Sequence, residues 1–310
     1  MRVLVVNHSE QSCGVWQFGK RFHTLAERSK KFEYIYREID SLQQLKATID
    51  ELKPKLIIYN WYPVTMTWLS EEWVAKQIEF KQFFIFHDGF VRKHYDGYLF
   101  TGAGEKDPEA RRIYLEKSFV LPRPLFEYEN TYEKNEIPHI GSFGLGGWHK
   151  GFPDLVTMVT NTFDKAVLNI HMPTATFGDA QGMEARKIAN MCRELNTDPD
   201  IQLNLTHDLL SNEGVLDFLA KNDLNAFLYS ASNEGLSSVI DYALSVQRPI
   251  AITNDMMFRH FANDEIIISE NNSLIDILNR GTKPLEKFYE MWNVGRFVEE
   301  LDNVIESNIN

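Results

Sequence analysis

One stretch constrains the fold more than any other. Leu224-Asn225-Ala226-Phe227-Leu228-Tyr229-Ser230 is short, apolar and strand-like, and a Ser/Asn loop follows that ends in Glu234-Gly235. Leu236, Val239, Ile240, Ala243 and Leu244 then recur at the spacing that buries one face of a helix, predicted over Gly235 to Gln247. Pro249 to Thr253 reads as the next buried strand. Strand, loop, helix and strand in this order form a unit of a parallel α/β sheet. Its loop belongs at the carboxyl edge of the sheet, where such folds bind ligands. The helix start offers free N–H groups at Gly235, Leu236 and Ser237, which suit a phosphate. Glu234 would repel that phosphate unless it hydrogen-bonds something else, such as sugar hydroxyls.

The same alternation fills the chain. Strands are predicted at Arg2 to Asn7, Phe32 to Ile39, Lys55 to Trp61, Gln82 to His87, Gly97 to Gly102 and Phe119 to Leu121. Helices are predicted at Val15 to Ser29, Leu42 to Leu52 and Trp68 to Ile78, the second capped by Ser41 and stopped by Pro54. Pro122 to Pro138 has three prolines, four glutamates and no helical periodicity, so it reads as a linker. Beyond it, strands are expected at His139 to Phe143, Ala166 to Met172, Ile201 to Thr206 and Glu265 to Ile268, with helices between. The expected fold class is α/β, with two Rossmann-like, doubly wound parallel-sheet domains. They cover residues 1–135 and 136–293, and a last helix at about 294–310 packs back on the first.

Composition removes several function classes. A net charge of −12 argues against a nucleic-acid partner, which needs Lys and Arg across a broad surface. No apolar run reaches the roughly 18 residues of a membrane span. The apolar start Met1 to Val6 is too short for a signal peptide, so the cytoplasm is the expected location. Cys13 and Cys192 are too few for a disulfide framework or a cysteine zinc site, and nothing around Cys13 marks it as a nucleophile. Asp198-Pro199-Asp200 reads as a turn before a strand rather than a metal site. His94, His149, His171 and His260 show no ligand spacing. After the first strand, Gly14 and Gly19 do not form GxGxxG, so a dinucleotide oxidoreductase or epimerase gets little support. Gly14 either lets backbone approach a diphosphate or makes an ordinary turn with Trp16 and Phe18 on the core.

The segment from Glu234 to Thr253, with its small-residue loop, Glu-Gly, short helix and Pro-Ile at the next strand, resembles the donor loop of GT-B glycosyltransferases, especially retaining family 4. The resemblance continues in Lys150-Gly151 before a helix and in His87-Asp88 after a strand. It implies two domains facing a cleft, with the donor between them and the acceptor on the first domain. It further implies transfer of a sugar from a nucleotide-diphosphate sugar to a carbohydrate or other hydroxyl acceptor, with retention and without a metal or other cofactor. By the same likeness His87 and Asp88 stand beside the donor sugar, Glu234 binds its hydroxyls, and Lys150 with the Leu236 and Ser237 amides holds the diphosphate. Asp208 and Leu209 fall where the base is recognised. The acceptor is expected near Trp16, Gln17, Trp61 and Tyr62.

The chain also departs from the family. Ser142 and Phe143 stand where a second diphosphate cation, an arginine, is usual, leaving Arg186, Arg248 or Arg259 as substitutes. Tyr242 stands eight residues past Glu234, where the family has the ribose-binding glutamate, so Asp241 is the substitute candidate. These losses define the rival expectation, a GT-B-fold binding or scaffold protein without transfer activity.

Overall fold

The computed structural model describes residues 1–11, 13–87, 95–101, 117–174, 179, 181–230 and 236–309. It divides into two units, Met1–Pro124 with Met291–Asn310, and Leu125–Glu290.

The first unit is built on a six-stranded parallel sheet in the order β2-β1-β3-β4-β5-β6. Its strands are β1 (Arg2–Asn7), β2 (Glu33–Glu38), β3 (Leu56–Tyr59), β4 (Lys81–Ile85), β5 (Gly97–Thr101) and β6 (Ser118–Leu121). Val3, Leu4, Val5 and Val6 are all fully buried, because β1 lies inside the sheet with apolar layers on both faces. Three described helices accompany the sheet: α1 (Gly14–Ala26), α2 (Leu42–Leu52) and α3 (Glu71–Lys76). Ser41 caps α2 by accepting the Gln44 N–H at 3.2 Å, and Lys53 ends it in the left-handed conformation ahead of Pro54. The chain's last helix, α10 (Val294–Ile309), joins this unit. It buries Phe297, Leu301 and Ile305 against Val3, Val5, Phe22 and Phe83. Its Asp302 accepts hydrogen bonds from the Ser29 hydroxyl (2.7 Å) and the Tyr34 hydroxyl (3.1 Å).

The second unit carries a five-stranded parallel sheet in the order β11-β10-β7-β8-β9. The strands are β7 (His139–Phe143), β8 (Ala166–His171), β9 (Ile201–Thr206), β10 (Leu224–Phe227) and β11 (Ile250–Ile252). The helices are α4 (Phe152–Thr162), α5 (Met183–Leu195), α6 (Asn212–Ala220), α7 (Val239–Ser245), α8 (Leu274–Arg280) and α9 (Glu286–Met291). In both sheets the strand order turns outward from a central pair, the doubly wound arrangement, and the carboxyl ends flanking that reversal are where ligands sit.

The second unit begins at Leu125, inside the proline-rich segment read as the linker, with the sequence-based boundary at residue 136. The proline-rich segment has no periodicity because side chains, not ladders, hold it. The Phe126 N–H donates to Ser245 Oγ (2.9 Å), Tyr128 Oη to Asp217 Oδ1 (2.7 Å), and Asn135 N–H to Asp223 Oδ1 (3.0 Å). Glu265 to Ile268 is no ladder strand; it touches the sheet only through one bridge, Ile252 to Ile267. Finally, α7 starts at Val239 rather than Gly235.

Candidate active site at the strand ends

In the first unit the carboxyl ends of β1, β3 and β4 bring together Asn7, Asn60 and His87. His87 Nε2 lies 2.6 Å from Asn60 Oδ1. Asn60 Nδ2 donates to Asn7 Oδ1 (2.8 Å) and to the Val15 carbonyl (2.7 Å). Asn7 Nδ2 donates to the Trp16 carbonyl and to Tyr36 Oη, both at 3.0 Å, while its Oδ1 also accepts the His8 N–H at 3.0 Å. Both asparagines are fully buried, so each amide needs partners on every side. Phe18 meets the His87 ring edge-to-face at 5.0 Å between centroids, and the buried Arg123 guanidinium lies 5.5 Å from the Phe18 ring. Burial, then the Arg123 charge, then His8 push the His87 pKa down to about 3, so the ring is neutral throughout the physiological range.

The other predicted residues of this unit divide. Gly14 opens α1 at an exposed position, and its backbone does not take the left-handed conformation that would demand glycine. Trp16 Nε1 donates to Glu38 (3.1 Å), and Gln17 Nε2 to the Gln11 carbonyl (2.9 Å). Trp61 is only 5% exposed and packs on Phe84, so it is core and not a platform for an acceptor sugar. Tyr62 is half-buried at the turn into Met66. Burial raises the Cys13 pKa, which disfavours its thiolate. Asp88 lies outside the described residues.

In the second unit β7 runs into a single 3-10 turn, Trp148–Lys150, and then Gly151 at φ +66° begins α4. A Cβ on Gly151 would stand 1.9 Å from the Leu228 carbonyl oxygen, so only glycine brings this turn against the end of β10. The turn sets Lys150 Nζ 3.9 Å from the centre of the Tyr229 ring, a cation–π contact. Ser237 Oγ donates to Tyr229 Oη at 3.2 Å. Burial and the Lys150 ammonium hold neighbouring His149 below its ordinary pKa.

The predicted diphosphate cradle is only partly there. The Ser237 N–H donates to the Met257 carbonyl (3.0 Å), so it is not open to an anion, and Leu236 precedes the helix instead of opening it. Asp241 is fully buried and cannot reach a ribose. Tyr242, eight residues past Glu234, donates to Asn212 Oδ1 at 2.8 Å. Arg248 is bound to the carbonyls of Ala220 (2.8 Å) and Glu133 (3.2 Å), which removes it as the missing cation. Arg259 donates to the Met256 carbonyl at 2.8 Å. Asp208 and Leu209 are exposed after β9. Asp198 and Asp200 form a turn closed by the Asp200 N–H on Asp198 Oδ1 (2.9 Å). Glu234 and Gly235 lie outside the described residues. A cavity of about 580 Å³ on this unit, lined by Asn169, Asn204, Thr206 and Phe218 among others, includes none of the predicted site residues.

Sequence reasoning missed Asn7 and Asn60. The one signal for them was Gly19, a glycine inside a predicted helix.

No protein-family model matches the chain, and no curated protein matches it in sequence. Solved structures do. Sucrose-phosphate synthase from Thermosynechococcus elongatus aligns with a TM-score of 0.69 at 11% identity, covering 99% of this chain and 98% of that one. HepE from Anabaena, in complex with UDP-glucose, aligns at 0.68 and 11% identity, covering 99% and 100%. AviGT4, a glycosyltransferase involved in avilamycin A biosynthesis, aligns at 0.65 and 11% identity, covering 99% and 97%. Two doubly wound parallel sheets and this likeness along nearly the whole chain identify the fold as that of the GT-B glycosyltransferases.

Proposed function

We propose that the protein is a glycosyltransferase that moves a sugar from a nucleotide-diphosphate donor to a hydroxyl acceptor. The observation that carries the reading is the Lys150-Gly151 turn at the carboxyl end of the second sheet, in a chain whose fold is that of HepE with its bound UDP-glucose. A sugar–diphosphate bond breaks with negative charge gathering on the leaving diphosphate. A fixed cation stabilises that charge as it develops. Lys150 Nζ rests over the Tyr229 face, which positions the cation for this role. With a lysine in this place, the transfer is proposed to run without a metal.

Two further assignments belong to the same reading. His87, neutral at a strand end of the first unit, meets a sugar hydroxyl. Glu234 binds donor hydroxyls, with retention of configuration at the reacting carbon. An acidic chain with no helix long and apolar enough to cross a membrane among its described residues fits a small nucleotide sugar as its partner.

Calorimetric titration with uridine, guanosine and adenosine diphosphates and their glucose conjugates tests the proposal, followed by assay of diphosphate release. One of these should bind, and Lys150→Met should weaken it about tenfold or more, the worth of a charge-assisted hydrogen bond. Glu234→Gln should lower transfer by about tenfold while free nucleoside diphosphate binds as before. Activity that persists in EDTA supports the metal-free reaction; activity lost in EDTA and restored by Mn²⁺ counts against it. Absence of binding by every nucleotide would remove the function.

A further inference from the structure

A neutral imidazole carries one N–H and one lone pair, and which nitrogen holds which decides what the ring can bind. At His87 the surroundings decide it without reference to any ligand. Asn7 is joined to His87 through Asn60. Its Nδ2 faces the Trp16 carbonyl, which can only accept, and its Oδ1 faces the His8 backbone N–H, which can only donate. The Asn7 amide therefore has one orientation. Asn60 follows from it. One end of its amide faces two acceptors, Asn7 Oδ1 and the Val15 carbonyl, so that end is Nδ2. Turning this amide over would set an oxygen against two oxygens in a buried place. The other end, against His87 Nε2 at 2.6 Å, is then Oδ1, which only accepts. His87 Nε2 must carry the proton. Nδ1 keeps the lone pair, and it makes no hydrogen bond among the described residues.

Gly19 makes this arrangement possible. A Cβ at Gly19 of α1 would stand 2.3 Å from Asn60 Nδ2 and 2.7 Å from Asn7 Nδ2. Glycine costs a helix interior about 1 kcal/mol relative to alanine, so it needs a packing reason there. Here the reason is the amide pair that lies against it.

We infer that Asn7, Asn60 and Gly19 form a lock that fixes His87 in the Nε2–H form, so that the ring presents Nδ1 as a bare acceptor and selects a ligand hydroxyl over a phosphate or carboxylate oxygen. A hydroxyl can donate to Nδ1; an anionic oxygen has no hydrogen to give and meets a lone pair. The edge of Phe18 and the neutral state of the ring both leave this preference in place. The lock itself is independent of the proposed reaction; only the identity of the hydroxyl, as one of a donor sugar, rests on that reading. Asn60 acts through His87 and is a positioning residue.

The test uses the full chain with 15N-labelled imidazoles. Long-range 1H–15N correlation at neutral pH reads which nitrogen is protonated, and His87→Gln assigns the signal by its disappearance. The expected result is protonated Nε2 and bare Nδ1 in the wild type, and a mixture of the two forms in Asn60→Ala and in Gly19→Ala. Gly19→Ala touches neither amide chemically and improves helix propensity, so a change there arises from displacement of the pair. Affinity for a nucleotide sugar should fall roughly three- to tenfold in Asn60→Ala, the worth of a misplaced neutral hydrogen bond, with affinity for the free diphosphate unchanged. Protonation of Nδ1 in the wild type overturns the lock even if neither variant folds. So does a tautomer that survives both substitutions. A fixed Nε2–H with equal losses for nucleotide and nucleotide sugar overturns the selection. A fixed Nε2–H in a protein that binds no nucleotide leaves the lock standing and removes the glycosyltransferase reading instead.

Discussion

Acid should destabilise the first unit through His87, and the size of the effect follows from its surroundings. The ordinary histidine pKa of 6.5 falls to about 3 in the folded chain, chiefly by burial. Between those values the unfolded chain binds a proton at His87 that the folded chain does not. Stability therefore rises with pH through this window and is lost as pH falls. Each pH unit is worth about 1.4 kcal/mol. From pH 7.5 to pH 4.5 the ring contributes about two full units, a loss of roughly 2.7 kcal/mol. His8 and His23 are also held low by burial, so the total loss is larger and mixed. His87→Gln isolates the term: its amide still donates to Asn60 Oδ1 and does not titrate. Urea unfolding read by tryptophan fluorescence reports mainly on this unit, which holds Trp16, Trp61, Trp68, Trp73 and Trp292, the second unit holding only Trp148. The gap between wild type and variant should shift by about 2–3 kcal/mol over this range, in favour of the variant at low pH. Parallel curves would show that His87 protonates in the folded state as readily as in the unfolded one, and would refute the burial argument.

Gly151→Ala should cost the second unit much more than Gly281→Ala. Both have left-handed φ, worth about 1–3 kcal/mol, but a Cβ at Gly281 meets nothing within 4 Å, whereas at Gly151 it meets the Leu228 carbonyl at 1.9 Å; denaturant unfolding of the two variants compares them. Asp302→Ala leaves the Ser29 and Tyr34 hydroxyls without their shared acceptor, and should cost about 2–4 kcal/mol and open α10 to limited proteolysis; resistance equal to wild type would show the helix is held by its apolar face alone. Ribo- and deoxyribonucleoside diphosphates should bind within about threefold of each other, because Asp241 is buried and Tyr242 Oη is engaged by Asn212. Strong discrimination that Tyr242→Phe abolishes would place the ribose on Tyr242 after all.

Much of the fold was legible because each strand and helix carries its own period. β1 is a run of four buried apolar residues, and α2 announces both its cap at Ser41 and its stop at Pro54. Lys150-Gly151 was legible as the residues before a helix, by its likeness to the family's pattern, and the structure starts α4 directly after Gly151. What failed depended on contacts between distant residues. Ser237 looked like the start of a helix, but its N–H is taken by Met257 twenty residues on. Trp61 looked like a platform, but its place behind Phe84 is set by the packing of β3 against β4. The linker looked free because its partners, Ser245, Asp217 and Asp223, lie 88 to 119 residues further along the chain. Asn7 and Asn60 are ordinary polar residues at the ends of two predicted strands. Only their adjacency in the sheet, β1 beside β3, makes them a pair.

The chemistry of the two strand-end clusters differs in a way that suits the nucleotide sugar proposed as donor. The first unit presents a neutral ring whose polarity is fixed by neutral amides, and its nearby charge, Arg123, lowers the His87 pKa instead of forming a pair with it. Such a group contributes direction and little charge, which suits a sugar hydroxyl. The second unit presents a cation on a rigid glycine turn, seated on an aromatic face, with its neighbour His149 kept neutral. That arrangement contributes charge and little direction, which suits a diphosphate. On the proposed reading, a second cation and a ribose carboxylate would add binding energy that donor and transition state share, whereas a cation at Lys150 would stabilise charge as it develops. Plain binding draws on the uniform contacts, whereas transfer needs a cation fixed where charge develops. Here Gly151 fixes the Lys150 turn, because a Cβ at that position would strike the Leu228 carbonyl oxygen.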